Sequence, residues 1–243
     1  MRESALKFQL SGKTAMFKKP DVNSYAYFTY NNIHKVALLG LLGAVIGLGG
    51  YAQQGKQESY PEFYDKLKHL KISIIPDLDK HGIYTKKIQT FNNSVGYASF
   101  EEGGNLVVRE QWLEDPTWTI YLYDDKSSAF EKIADALINR KAEYIPYLGK
   151  NDHPANIAKV KPVDIEKTKE RNIHSLVVGE GIETVMEDPF VTPYYFKEIA
   201  PIGMNETYNF YEFAPTILTN NSYIFKEEKQ NIYRDNDNVV FFY

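Results

Sequence analysis

From Val36 to Leu48 the chain runs thirteen residues without a charged side chain. The surrounding sequence, IHKVALLGLLGAVIGLGG, predicts a helix from about Ile33 to Gly47, with Asn31 or Asn32 as its cap. A helix this uncharged must be buried nearly all round. The run is too short to cross a bilayer as a helix, which takes about 20 residues, so a soluble protein is expected. Gly40, Gly43 and Gly47 fall at i, i+3 and i+7 and therefore share one face. Each glycine costs ~1 kcal/mol of helix propensity relative to alanine, so a stripe of three implies close approach to a sheet or another backbone.

The elements around this helix can be read in order. Residues 4–10, SALKFQL, alternate apolar and polar as a strand does. Gly12 to Asn32 is a long polar and aromatic loop carrying Lys18, Lys19, Pro20 and Asn23, and loops of this length are usually functional or mobile. A short helix is expected over Pro61 to Leu70 and a strand over Lys71 to Ile75. Residues 77–105 are polar, with Lys80, Lys86, Lys87, Gln89 and a Gly103-Gly104 turn, and read as an extended hairpin or projecting loop. LVVREQWLEDPTWTIYLYDD gives two strands broken near Asp115-Pro116. Ser127 or Ser128 caps a helix reaching about Arg140, and IAKVKPVDI follows as a strand. Strand, helix, strand, strand, helix, strand is the order of an α+β, ferredoxin-like (RRM-like) unit. This unit takes up residues 1–165, with the projection at about 77–105, and residues 166–243 form a strand-rich acidic part.

Charge is unevenly spread. Residues 1–90 hold 13 Lys/Arg against 7 Asp/Glu, a balance of +6, whereas residues 91–243 carry −10. A basic first part suits a polyanion, and the acidic remainder is either solvated or docks a protein. The 19 Tyr and 14 Phe serve cores and also stack on unpaired bases. Cysteine is absent, which excludes disulfides and thiolate chemistry and fits a reducing cytoplasm. The N-terminus, MRESALKFQL, lacks a secretory signal.

Common catalytic signatures are missing. The glycines of GLLGAVIGLGG lie inside a helix with no following Lys-Ser/Thr, so they make no phosphate loop. The five histidines show no metal-ligand spacing, and no carboxylate pair or serine-hydrolase motif stands out, so neither metal nor cofactor is expected. Metal-independent RNA cleavage needs only a base near a 2′-hydroxyl and cations near the phosphate. Tyr30, His34, Lys35 and Tyr51 bracket the glycine helix and have the required types, as does the pair Lys80-His81. Passive binding is the plainer reading of these residues, and a protein-docking module built on the acidic part is a third.

Three separated motifs carry a family resemblance. They are HKVALLGLLGAVIGL behind the Lys/Pro-containing loop, REQWLEDPTWTIYL in the middle, and EYIPYLGK after the second helix. In this order, over about residues 4–163, the chain resembles the fifth CRISPR-associated protein family of the RAMP superfamily, closest in style to type I-B. The resemblance implies a ferredoxin-like RAMP domain with a projecting thumb hairpin. It implies a cytoplasmic, non-catalytic subunit of the antiviral type I Cascade complex that holds the 5′ handle of the crRNA. The large subunit and the adjacent backbone subunit would be its protein partners, with target DNA met only through the complex and no membrane. In type I-C the family member itself cuts the precursor, but no Tyr-Lys-His set of that kind is matched here. Position by position, the resemblance assigns RNA binding to Lys18, Lys19, His34, Lys35, Arg109, Gln111, Tyr147, Gly149 and Lys150, and Asn23, Tyr30 and Tyr51 in the loop and flanking the glycine helix are further candidates from the residues themselves. Lys80, Lys86 and Lys87 join them by location in the thumb.

Overall fold

The computed structural model describes residues 3–21, 25–226 and 231–243, and Asn23 lies outside them. In chain order the first elements are β1 (Glu3–Ser11), β2 (Thr14–Ala15), α1 (Lys35–Val45), α2 (Glu62–Leu67), β3 (Ile72–Pro76), β4 (Lys86–Asn92), β5 (Val107–Glu114), β6 (Thr117–Tyr123), α3 (Ser128–Ile138) and β7 (Asn156–Lys167). Then come only strands: β8 (Val177–Val178), β9 (Glu183–Val185), β10 (Tyr195–Met204), β11 (Tyr211–Thr219), β12 (Ser222–Ile224), β13 (Ile232–Arg234) and β14 (Val239–Phe241). The molecule is a mixed α/β, strand-rich fold.

Alternation builds the main sheet. Leu6, Phe8 and Leu10 of β1 and Trp118, Ile120 and Leu122 of β6 enter one core, while Lys7, Gln9, Thr119 and Tyr121 face the other way. The strand order is β14-β13-β7-β1-β6-β3. Tyr243, just past β14, exchanges backbone hydrogen bonds of 3.1 Å with Ile72 of β3, so the sheet nearly closes. The acidic C-terminal stretch thus supplies β13 and β14 to the same sheet as β1. It also forms the smaller sheets β10-β11-β8 and β12-β9.

Helix α1 carries no charge after Lys35 because it is surrounded. It packs on α2, α3 and β10, and seven of its eleven residues are buried. Its cap differs from the expected Asn31 or Asn32. His34 takes that place, its Nδ1 accepting from Ala37 N at 3.2 Å. Asn32 instead accepts from Trp118 Nε1 (3.0 Å), and Asn31 donates to Gly82 O, so both tie the helix entry to the body.

The glycine stripe meets a helix rather than the sheet. A Cβ on Gly43 would lie 2.6 Å from Phe63 Cβ of α2, and one on Gly40 would touch the same ring at 3.6 Å. Gly47 acts differently. With φ 79 it closes α1, Gly47 N donating to Ala44 O and Leu48 N to Gly43 O. Gly43→Ala is therefore expected to lower the thermal midpoint. The clash with Phe63 outweighs the ~1 kcal/mol that alanine contributes in helix propensity. A denaturation curve with a raised midpoint would refute this packing role.

Two further sequence readings are refined. The motif REQWLEDPTWTIYL is shared between sheets, since β5 pairs with β4 and β2 while β6 belongs to the main sheet. The hairpin is β4–β5, residues 86–114, and 77–84 is a turn packed on the body. There Tyr84 donates its hydroxyl to Thr117 O and accepts from Asp77 N. No helix of the described residues is long and apolar enough to cross a membrane.

Candidate nucleic-acid interface

Residues 16–19 and 27–30 pair as a two-stranded strap laid on the hairpin. Lys19 N donates to Phe28 O (2.8 Å), Tyr30 N to Phe17 O (2.9 Å), and Lys18 bridges Thr29. The strap joins β5 through Tyr27, whose N donates to Arg109 O (2.9 Å) and whose O accepts from Gln111 N (2.8 Å). Gly149 locks its base. Met16 N donates to Leu148 O (3.1 Å), and Gly149, at φ 90, leaves room where a Cβ would stand 1.9 Å from Met16 O.

Strand alternation then divides the hairpin into two chemically different faces. Lys86, Ile88 and Thr90 of β4 stand opposite Leu113, Gln111 and Arg109 of β5, and this face is largely open to solvent. Two cation–aromatic pairs lie beside it: Lys18 Nζ is 3.6 Å from the Tyr27 ring centroid, and the Arg109 guanidinium 5.1 Å from that of Tyr25. Lys18, Arg109, Tyr25 and Tyr27 are all exposed. Among the described residues neither Lys18 nor Arg109 forms an ion pair, so both charges are available to a phosphate. At the edge of this face Lys19 pairs with Glu198 (3.1 Å). Burial lowers the pKa of Lys86, opposed by nearby Glu198 and helped by Lys19.

The opposite face is a closed polar cluster. Buried Glu110 accepts from Lys150 Nζ at 2.7 and 3.0 Å and from Trp112 Nε1 at 3.0 Å. His153 meets Trp112 edge-on at 4.7 Å and lies 2.6 Å from Thr14 Oγ1. These contacts fasten the hairpin to the Gly149-Lys150 loop.

The sequence candidates therefore separate. Arg109, Gln111 and Lys86 share the open hairpin face, with Lys19 near Lys86, while Lys18 lies over Tyr27 on the adjoining strap. Lys150 is committed to Glu110, Lys87 to Glu114 (3.2 Å) and Lys80 to Asp77 (3.7 Å). Tyr147 is exposed, bridged to Pro154 in a different loop. Tyr30 and His34 are interior, with rings edge-to-face at 5.3 Å. Lys35 donates to Tyr243 O (3.0 Å), and burial with Lys71 nearby lowers its pKa to about 8. Tyr51 donates its hydroxyl to Met204 Sδ (3.0 Å). The sequence reading missed Tyr25 and Tyr27; their Tyr-x-Tyr spacing within a Lys-bearing loop was the available signal.

Burial also bears on proton transfer. It lowers His34 to about 3, so this group does not suit acid–base work near neutral pH, whereas Tyr51 is exposed and has its hydroxyl engaged with Met204 Sδ. The unfolded chain protonates His34 below about 6.5, whereas the folded chain does so only near 3. Stability from this group is thus present above pH 6.5 and falls as the pH drops through that window. His34→Asn, which keeps a capping oxygen but cannot titrate, is expected to flatten this part of the stability–pH curve. An unchanged curve would contradict the buried-neutral assignment. Among the described residues no group of three His, Asp or Glu is placed to hold a metal.

Solved structures share this architecture. A chain of a CRISPR RNA-guided surveillance complex superposes with a TM-score of 0.50 at 13% identity, 90% of each chain being covered. The fold is that of a CRISPR surveillance-complex protein. A CRISPR protein from Archaeoglobus fulgidus matches at 0.48 and 11% identity, over 98% of this chain and 97% of that one. A further Cas protein matches at 0.43 and 13% identity, over 90% and 94%. No protein-family model and no curated protein matches the sequence.

Proposed function

We propose that the chain is an RNA-binding subunit of a type I CRISPR effector complex, a member of the fifth CRISPR-associated family that caps the 5′ handle of the crRNA. The observation that carries this reading is the exposed surface of the strap and hairpin, where the cations Lys18 and Arg109 stand against the rings of Tyr27 and Tyr25. Cations neutralise phosphates and tyrosine rings take splayed bases, which is how single-stranded RNA is held. The shared fold supports the CRISPR assignment. The β7-β1-β6-β3 order, joined as strand, helix, strand, strand, helix, strand, supports the ferredoxin-like RAMP reading. The hairpin takes the part of the thumb.

The role is binding rather than cleavage. His34 is buried and held neutral, the Tyr51 hydroxyl is engaged with Met204, and Lys80 is paired with Asp77. The large and backbone subunits remain the protein partners on this reading. Purification from cells carrying a CRISPR array, followed by sequencing of the retained RNA, tests it. Repeat-derived 5′ ends are expected, and random cellular RNA would sink the assignment. Repeat RNA incubated with the pure chain in chelator should stay intact; a discrete cut within the repeat would replace binding by processing.

A further inference from the structure

The turn that leads into the hairpin presents an aromatic surface separate from the open face. At Lys80–Ile83, Ile83 N donates to Lys80 O (3.0 Å), and both central residues, His81 (φ 52) and Gly82 (φ 70), are left-handed. Glycine, asparagine and aspartate dominate such turns, because larger side chains are strained there. Gly82 has a packing reason: a Cβ would lie 2.4 Å from Leu218 Cδ2. His81 is exposed and has none of that kind. A strained residue with an exposed ring points to a use for the ring.

The imidazole lies flat on Tyr194, with ring centroids 4.5 Å apart and planes within 9°. Tyr194 is fixed from both sides, its N donating to Asn220 Oδ1 (2.9 Å) and its O accepting from Thr219 Oγ1 (2.6 Å). Tyrosine therefore backs one face of the imidazole, and the exposed imidazole is the outer member of the pair. Lys80, which precedes it, is paired with Asp77, whereas Lys86, five residues on and so within ~17 Å along the chain, opens the outer face of β4.

We infer that the outer face of His81, backed by Tyr194, is a stacking platform for one unpaired RNA base at the root of the hairpin. This rests on the RNA-binding reading above and extends the bound strand beyond the Lys18–Arg109 face. An aromatic plane accepts any base, since every base has a π-face, and Lys86 further along the chain meets a phosphate of the same strand. Binding at this subsite is accordingly insensitive to base identity.

The test uses the full chain, labelled single-stranded RNA and the variants His81→Asn and His81→Tyr. Asparagine suits the left-handed turn and deletes the platform, whereas tyrosine restores an aromatic plane. His81→Asn is expected to bind about tenfold more weakly with its thermal midpoint unchanged or raised, and His81→Tyr to recover most of the affinity. Photo-crosslinking with 4-thiouridine RNA should label the peptide holding His81 or Tyr194. If Lys18→Glu with Arg109→Glu loses RNA while His81→Asn binds like wild type, the pair only packs the turn onto the body; the platform is then overturned and the hairpin reading stands. If the wild-type chain holds no RNA, both fall together.

Discussion

Gly149→Ala is expected to lower the thermal midpoint by ~10 °C, from a loss of about 3 kcal/mol in a chain of this size. Two independent penalties converge at this position. The backbone sits at φ 90, where an L side chain is strained, and the new Cβ would stand 1.9 Å from Met16 O and 2.7 Å from its carbonyl carbon. Neither atom can yield cheaply, because Met16 N is hydrogen-bonded back to Leu148 O. Relief requires the 148–150 loop to move, which draws Lys150 away from Glu110. Glu110 is 5% exposed, so its carboxylate would then be left buried without its cation. The damage should reach the hairpin, and hydrogen exchange in β5 should rise together with the fall in midpoint. A variant as stable as wild type would mean that this contact is not made.

Lys18→Glu combined with Arg109→Glu is expected to reduce affinity for single-stranded RNA by about two orders of magnitude, leaving the fold intact. Both side chains are solvent-exposed and stand on aromatic rings, so reversing them removes two phosphate contacts and adds two repulsions. The slope of log affinity against log salt should become shallower by roughly 1.4, since each single-strand phosphate contact contributes about 0.7. By contrast, Lys87→Glu should change RNA binding little, because Lys87 lies on the other face of β4 and is already paired with Glu114. Equal losses in the two variants would indicate a general charge effect rather than a defined face.

Much of the element order could be read from the sequence because it rests on local pattern. Alternation in SALKFQL and TWTIYLY, the cap at Ser127 and the breaker at Asp115-Pro116 each act within a few residues, and the structure places β1, α3, β5 and β6 accordingly. The glycine helix was legible as a packing device, but its partner was not. Nothing local indicates that Phe63, twenty residues away, fills the notch at Gly43.

The candidate site was less legible for the same reason. Exposure of a lysine depends on which carboxylate the fold brings near it. Lys150 and Lys18 look equivalent in sequence, yet Glu110 takes one and a tyrosine ring supports the other. His34 was misleading because its burial arises only in the fold, where Tyr211 of β11 packs against it with ring centroids 5.4 Å apart. The hairpin faces were in principle readable: KKIQTFN sorts Lys86, Ile88 and Thr90 from Lys87, Gln89 and Phe91 by alternation alone. Which of those faces is open depends on the loop that brings Lys150 onto Glu110 and His153 onto Trp112, and those contacts have no local signature.

The most direct test of the RNA-holding face is cross-linking of the assembled ribonucleoprotein, with the attached peptides identified by mass spectrometry. The proposed function predicts RNA adducts on the strap around Tyr25–Tyr27 and on the outer hairpin face at Arg109, Gln111 and Ile88, with none at His34 or Tyr30. Adducts confined to the Glu110–Lys150 side, or to the acidic β10–β11 hairpin, would contradict it.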